Sequence, residues 1–322
     1  MTEETTRAVR VVQARWEAEG VVSLRLRAAD DRPLPSWTPG AHLDVVLPSG
    51  LVRQYSLCGE PGSADYTVAV LREAAGRGGS AEIHDTARLG RELRIRGPRN
   101  RFELEPAGHY VFVAGGIGIT PLLAMIRQAA DHGVPWQLHY GGRRRDTLAF
   151  TRELTELAQR GNGEIHLRSD DVEGPLPLPD IVRAAPTGAM LYACGPGGLL
   201  TALAETVERE NPALPVRFER FTGEPAEPIS DTAQESFEVE LARTGETITV
   251  RSGQSILDAV RGQRPDILSS CEEGFCGTCE TKVLAGEPVH RDTLLSAKER
   301  AKNTTMMICV GGCASARLVL DL

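Results

Sequence analysis

Residues 270–280 read SCEEGFCGTCE, which leaves four residues between Cys271 and Cys276 and two between Cys276 and Cys279; Cys309, in MMICV, follows after 29 more. This is the spacing by which four thiolates hold a [2Fe-2S] cluster, three from one tight loop and the last from a distant strand. Gly274 and Gly277 free the loop backbone to fold closely around sulfur and to aim N–H groups at it. Structural zinc is the alternative, although zinc modules usually present two short cysteine pairs and only one exists here. Cys313, four residues past Cys309, is a rival fourth ligand; otherwise it is a small buried residue.

The rest of the chain reads as a globular protein of several domains. Its 322 residues are enough for two or three domains. One quarter of them are charged, as in a globular protein, and no run reaches the length of a membrane span. The opening MTEETTRAVR is acidic and has no apolar core before a cleavage site, so a cytoplasmic location is expected. Seven cysteines, five of them within 271–313, point to metal or redox chemistry rather than a disulfide framework. Of the net charge of -8, most falls after residue 221, where 16 Asp and Glu face 10 Lys and Arg. Such a surface repels nucleic acid and either steers a basic protein partner or simply keeps the chain soluble.

Three parts are predicted. Residues 1–105 carry short alternating runs broken by turns, an antiparallel β-barrel. Residues 106–221 alternate strands such as HYVFVAGG with helices such as ITPLLAMIRQAADHG, an α/β domain on a parallel sheet. FTGEPAEPISDTAQES marks a linker, 222–235, and 236–322 then reads strand, turn, strand, helix before the cysteine loop, an α+β domain.

Two pieces of the first part could hold a phosphorylated aromatic cofactor. In RQYSL, Arg53 offers a guanidinium for phosphate and Tyr55 a flat face, while Ser56 points the other way. In REAAGRGGSAEIHD, Gly78 and Gly79 free the backbone, Arg77 adds charge, and Ser80 can cap the following helix. In the second part, VFVAGGIGITPLLAMI is strand, glycine turn and helix, with Thr120 expected as N-cap and Pro121 as first helical residue. It departs from the usual G-x-G-x-x-G fingerprint. LYACGPGGLL forms a second strand-to-helix turn. Arg143, Arg144 and Arg145 could grip a 2'-phosphate, as in NADPH, whereas Asp170 or Asp171 would favour the free ribose diol of NADH.

The last domain resembles a plant-type ferredoxin, a β-grasp fold. The first two resemble the ferredoxin-NADP reductase superfamily, and the whole order resembles the phthalate dioxygenase reductase and vanillate O-demethylase reductase family. That resemblance implies FMN with Arg53 and Ser80 on its phosphate, Tyr55 stacked on its ring, Ser56 near its reactive nitrogen, and Val70 and Arg72 flanking it. It implies that Gly115, Gly116, Gly118, Thr120 and Cys194-Gly195-Pro196 border the nicotinamide of NADH, with Cys194 shaping the site, and that Phe221 covers the flavin. The expected activity passes electrons from NADH through FMN and the cluster to a Rieske-type oxygenase, with cofactors carrying the chemistry. A cytochrome P450 acceptor and a redox-sensing module without turnover are the competing expectations.

Overall fold

Along Arg7–Ala18 (β1), Val9 and Val11 are buried while Arg10 between them is exposed, the period of two that a sheet with one wet face demands. Five more strands follow: β2 (Val21–Ala28), β3 (Ala41–Val46), β4 (Val52–Ser56), β5 (Tyr66–Leu71) and β6 (Glu92–Asn100). They join in the order β4-β3-β6-β1-β2-β5, every neighbouring pair antiparallel. The sheet curls until its two edges meet. Leu57, just past β4, bridges Val68 of β5, and Cys58 N–H donates to Thr67 O at 2.9 Å. Leu26, Leu43, Val45, Leu57 and Ile95 fill the interior. Helix α1 (Gly79–Thr86) connects β5 to β6.

The computed structural model describes residues 6–30, 32–74, 76, 78–221 and 236–322. Arg77 and the expected linker 222–235 lie outside the described residues.

A parallel sheet follows, built from β7 (His109–Gly115), β8 (Trp136–Gly142), β9 (Gly163–Ser169), β10 (Ala189–Cys194) and β11 (Val216–Glu219) in the order β11-β10-β7-β8-β9. Helices α2 (Ile119–Asp131), α3 (Thr151–Arg160), α4 (Leu178–Ala184) and α5 (Gly197–Glu210) make the crossovers. This order reverses direction at β7, and its neighbours β10 and β7 bring the ends Cys194 and Ala114 side by side. Such a switch point opens a crevice at the carboxyl ends of the strands, where ligands bind. Helix α4 escapes a periodicity reading because prolines 177 and 179 flank its start, where a missing N–H costs little.

The chain divides into two compact units, Met1–Arg220 and Phe221–Leu322. The second holds β12 (Phe237–Leu241), β13 (Glu246–Val250), α6 (Ile256–Arg261), β14 (Glu280–Ala285), β15 (Pro288–Val289), α7 (Ala297–Arg300), β16 (Thr305–Met307), β17 (Gly312–Cys313) and β18 (Arg317–Leu320). The main sheet runs β13-β12-β18-β14-β16, with β12 and β18 parallel at its centre. Ser255 caps α6 by accepting from Asp258 N–H at 3.0 Å, and the helix buries Ile256, Leu257 and Val260 in the same core as Val239 and Leu318. This is the β-grasp arrangement expected. Among the described residues no helix is long and apolar enough to cross a membrane.

Candidate functional site

The β3–β4 register sets Arg53 opposite Val45, Tyr55 opposite Leu43 and Ser56 opposite His42. Arg53 and Tyr55 therefore share one face and Ser56 lies on the other. Arg53 runs across the start of α1. A Cβ on Gly79 would lie 2.6 Å from its Cγ and Nε, and Gly78 adopts φ +82°, so the glycine pair is what lets the guanidinium approach the helix terminus. A guanidinium beside the first N–H groups of a helix is chemistry that suits a phosphate.

Ser80 is not the cap of that helix. Gly78 is the cap residue, and Ser80 lies inside the first turn with its hydroxyl accepting from Glu73 N–H at 3.0 Å, which closes the loop onto α1. Arg72 pairs with Asp85 at 2.7 Å and His84 Nε2 donates to Val70 O at 2.9 Å, so both predicted flanking residues are tied to α1.

The two glycine turns of the parallel sheet pack on each other. A Cβ on Gly115 would meet Pro196 Cδ at 2.7 Å, one on Gly118 would meet Cys194 O at 2.2 Å, and one on Gly195 would meet Gly115 N at 3.0 Å. Gly116 takes φ +53° in the short 3-10 turn before α2. Thr120 is not an N-cap: Gly118 holds that position, and the Thr120 hydroxyl donates back to Ile117 O at 3.0 Å from within the first turn. Pro121 is correspondingly the third helical residue. Beyond β8 and β9, Asp170 N–H donates to Gly142 O at 2.8 Å and Asp171 N–H to Arg143 O at 3.2 Å, bringing the arginine run and the acidic pair to one edge. Asp170 and Asp171 are exposed, and Arg144 is engaged by Asp146 at 2.9 Å.

One residue of this crevice has no counterpart in the sequence reading. Glu219 ends β11 in register with Cys194, is partly buried, and shares a hydrogen bond with the Ser56 hydroxyl. Its Oε2 has no hydrogen-bond partner among the described residues. Burial pushes its pKa up from 4.5 to about 8, partly opposed by Ser56, and burial likewise raises the Cys194 thiol, with the Glu219 charge adding to it. Ser56, Cys194 and Glu219 thus join barrel and parallel sheet around a carboxyl that carries a proton near neutrality. Stability supplied by the neutral acid is fully present below pH 4.5, where the unfolded group is also protonated, and is lost as pH rises towards 8. The loss is about 4 kcal/mol, to order of magnitude. Urea unfolding across that window should show this slope in the parent and a flatter one in E219Q.

In the second unit Cys271, Cys276, Cys279 and Cys309 are all buried. Their thiols pair two by two: Cys271 donates to Cys276, and Cys309 interacts in the same way with Cys279. Donating raises the pKa of Cys271 and Cys309, and accepting lowers that of Cys276. The loop turns N–H groups inward, Glu273 to Cys271 Sγ and Thr278 to Cys276 Sγ, each at 3.4 Å, with Gly274 towards Cys309. Gly274 has φ +75°, and a Cβ there would lie 2.6 Å from Val310 Cγ2. Among the described residues no three His, Cys or carboxylate side chains converge as a single ion requires. Two thiol pairs with inward N–H donors are an arrangement that a pair of bridged irons fits.

Cys313 is occupied elsewhere, its thiol donating to Ser315 O at 2.7 Å in the small β15–β17 ribbon. C313A is therefore expected to retain its full iron content, losing about 1 kcal/mol of stability with that bond; iron analysis and thermal melting check both. Phe221 stands two residues beyond β11, at the start of the second unit.

Comparison with known proteins follows the same division. A model described as a 2Fe-2S iron-sulfur cluster binding domain matches residues 239–311, a span that includes all four predicted cysteine ligands and stops before Cys313. One described as an oxidoreductase NAD-binding domain matches residues 112–205. The solved phthalate dioxygenase reductase, described as a modular structure for electron transfer from pyridine nucleotides to [2Fe-2S], is 32% identical and superposes with a TM-score of 0.72 over 99% of both chains. The chain belongs to the phthalate dioxygenase reductase family. Within this reductase family it is 43% identical to the phenoxybenzoate dioxygenase subunit beta of Ectopseudomonas oleovorans, over 98% of this chain and 97% of that one. Other relatives are named as reductase subunits of monooxygenases and dioxygenases. An intact type IV self-sufficient cytochrome P450 monooxygenase is 38% identical with a TM-score of 0.89; it covers 98% of this reductase, which spans only 41% of that longer chain.

Proposed function

We propose that this protein is the reductase component of a multicomponent oxygenase, taking a hydride from NADH onto FMN and delivering single electrons through a [2Fe-2S] cluster to a Rieske-type oxygenase. The observation that carries the reading is one chain holding both a buried Ser56–Glu219–Cys194 crevice between barrel and parallel sheet and a nest of four thiols paired two by two. Residues 1–105 form the FMN domain in this reading, 106–221 the NAD domain, 222–235 the connection and 236–322 the ferredoxin.

When bound, flavin accepts the two electrons of a hydride together and releases them one at a time, as a cluster that takes one requires. Arg53 and the N–H groups of α1, with Arg77 nearby in sequence, hold the phosphate; Tyr55 offers its ring face. Val70 and Arg72 border that ring, and Phe221 covers it. Gly115, Gly116, Gly118, Thr120, Gly195 and Pro196 seat the nicotinamide, whose approach Cys194 shapes without acting as a nucleophile. Glu219, protonated near neutrality, keeps a proton at hand for Ser56. Asp171 selects the ribose diol, hence NADH, against the 2'-phosphate grip of Arg143 and its neighbours. Cys271, Cys276, Cys279 and Cys309 ligate the irons. A P450 acceptor is the second reading, favoured by the close superposition on the self-sufficient P450.

Anaerobic rapid mixing with NADH tests the first half: flavin absorbance should bleach within the dead time or shortly after, and an unbleached flavin supports a sensor instead. Reconstitution with purified Rieske oxygenase and P450 acceptors tests the second half.

A further inference from the structure

The first unit contains a tie that none of the cofactor roles explains. Arg127, on α2 eight residues past its start, is 13% exposed and reaches across to the barrel, where Nη1 donates to Cys58 O and Gly59 O, each at 2.6 Å. Nε donates to Glu153 Oε1 of α3 at 2.7 Å, and Nη2 reaches the same oxygen. A single guanidinium thus fastens the loop leaving β4 to two helices of the nucleotide sheet. All of these bonds are charge-assisted, the strong kind.

What Arg127 fastens is decisive. Cys58 is two residues from Ser56, and α2 begins at the glycine turn that packs on Cys194. The pin therefore connects the strand that faces the flavin to the helix that presents the nicotinamide turn. Other contacts cross the seam, Glu19 N–H to Asp146 O at 2.9 Å and the Ser56–Glu219 hydrogen bond among them, but these do not hold the Cys58 and Gly59 carbonyls. Beside the pin opens a cleft of about 940 Å³ whose walls include Arg15, Glu60, Arg152, Glu156 and Arg160. Its walls are polar and it is open, so water can replace a lost guanidinium at the two carbonyls. Removing the pin should then cost little folding stability while loosening the seam.

We propose that Arg127 is a positioning residue that sets the distance over which hydride passes between nicotinamide and flavin. This rests on the functional reading above. In that step the C–H bond at C4 of the dihydronicotinamide breaks, the hydrogen leaves with both electrons, the ring becomes the oxidised pyridinium, and the flavin is reduced by two electrons. Geometry governs such a transfer steeply, because a displacement of about 1 Å costs roughly 100-fold in rate.

The test compares parent, R127M, R127K and E153Q by stopped flow at saturating NADH, alongside nicotinamide–flavin charge-transfer absorbance, NADH dissociation constant, flavin content and melting temperature. R127M is expected to slow flavin reduction roughly 10- to 100-fold and to weaken the charge-transfer band, with the dissociation constant little changed; R127K, still able to reach one partner, should recover part of the rate. A rate in R127M close to the parent's, or R127K no faster than R127M, overturns the proposal. Should R127M fail to retain flavin, R127K and E153Q decide: slower transfer with an unshifted melting temperature supports the pin, and parental rates sink it. A parent protein whose flavin NADH does not bleach would refute the functional reading itself, whereas bleaching in the parent with indifferent variants refutes only the pin.

Discussion

Cys276→Ser is expected to abolish electron delivery to a protein acceptor while NADH-to-dye reduction continues at close to the parental rate. Cys276 is one half of a thiol pair, accepting from Cys271 and from Thr278 N–H at 3.4 Å. A serine hydroxyl is a harder, far less acidic ligand. Its loss from the inner ring should exceed the roughly 10- to 100-fold fall in metal affinity that outer partners cost when removed. The dye draws on the flavin directly and does not need the cluster. Iron and sulfide analysis, the reduced-cluster EPR signal and the two turnover assays check this together. A variant that fed the protein acceptor at full rate would reverse the assigned electron order.

Gly118→Ala should do the converse, silencing nucleotide use while leaving the cluster spectrum intact. The added Cβ would lie 2.2 Å from Cys194 O, 2.5 Å from its carbonyl carbon and 2.7 Å from Gly195 N. All three are backbone atoms of the facing turn, so no side chain can swing away, and the two turns must part. Overpacking of this kind costs about 1–3 kcal/mol, and a shift near 1 Å at the nicotinamide should lower kcat/KM for NADH by roughly 100-fold. Gly108→Ala, where an added Cβ meets nothing within 4 Å, is the control and should change stability by less than about 0.5 kcal/mol. NADH titrations and urea unfolding of both variants distinguish the site-specific loss from a general one.

The cysteine nest was legible because spacing in a short loop survives translation into space. What linear spacing does not convey is how the thiols pair, since that depends on how β16 and the loop approach each other. The strand faces of RQYSL were legible for a similar reason: alternation is local, and the β3–β4 register obeys it. The helix starts were misread at Ser80 and Thr120. In both cases a glycine two residues earlier takes the capping position, and the hydroxyl turns to a backbone partner, Glu73 N–H or Ile117 O. Hydroxyl preference at N-caps yields where the backbone must be bare for a ligand or a close approach. Glu219 was invisible for another reason. In VRFERF it looks like an ordinary outward charge on a short strand, and only the register with Cys194 and the meeting with Ser56 reveal a carboxyl whose Oε2 is shielded. The one sequence hint was a single acid wedged among aromatic and basic residues at a strand's end.

The rung between Leu57 and Val68 has a consequence for fidelity. If β4 slid by one position along β3, Tyr55 and Ser56 would trade sides, and the aromatic platform would stand where the hydroxyl belongs. Stitching the two rims together immediately after Ser56 makes that slippage break the closure as well as the ladder. The same stitch leaves β4 and β5 no bare rim there on which a foreign strand could add itself.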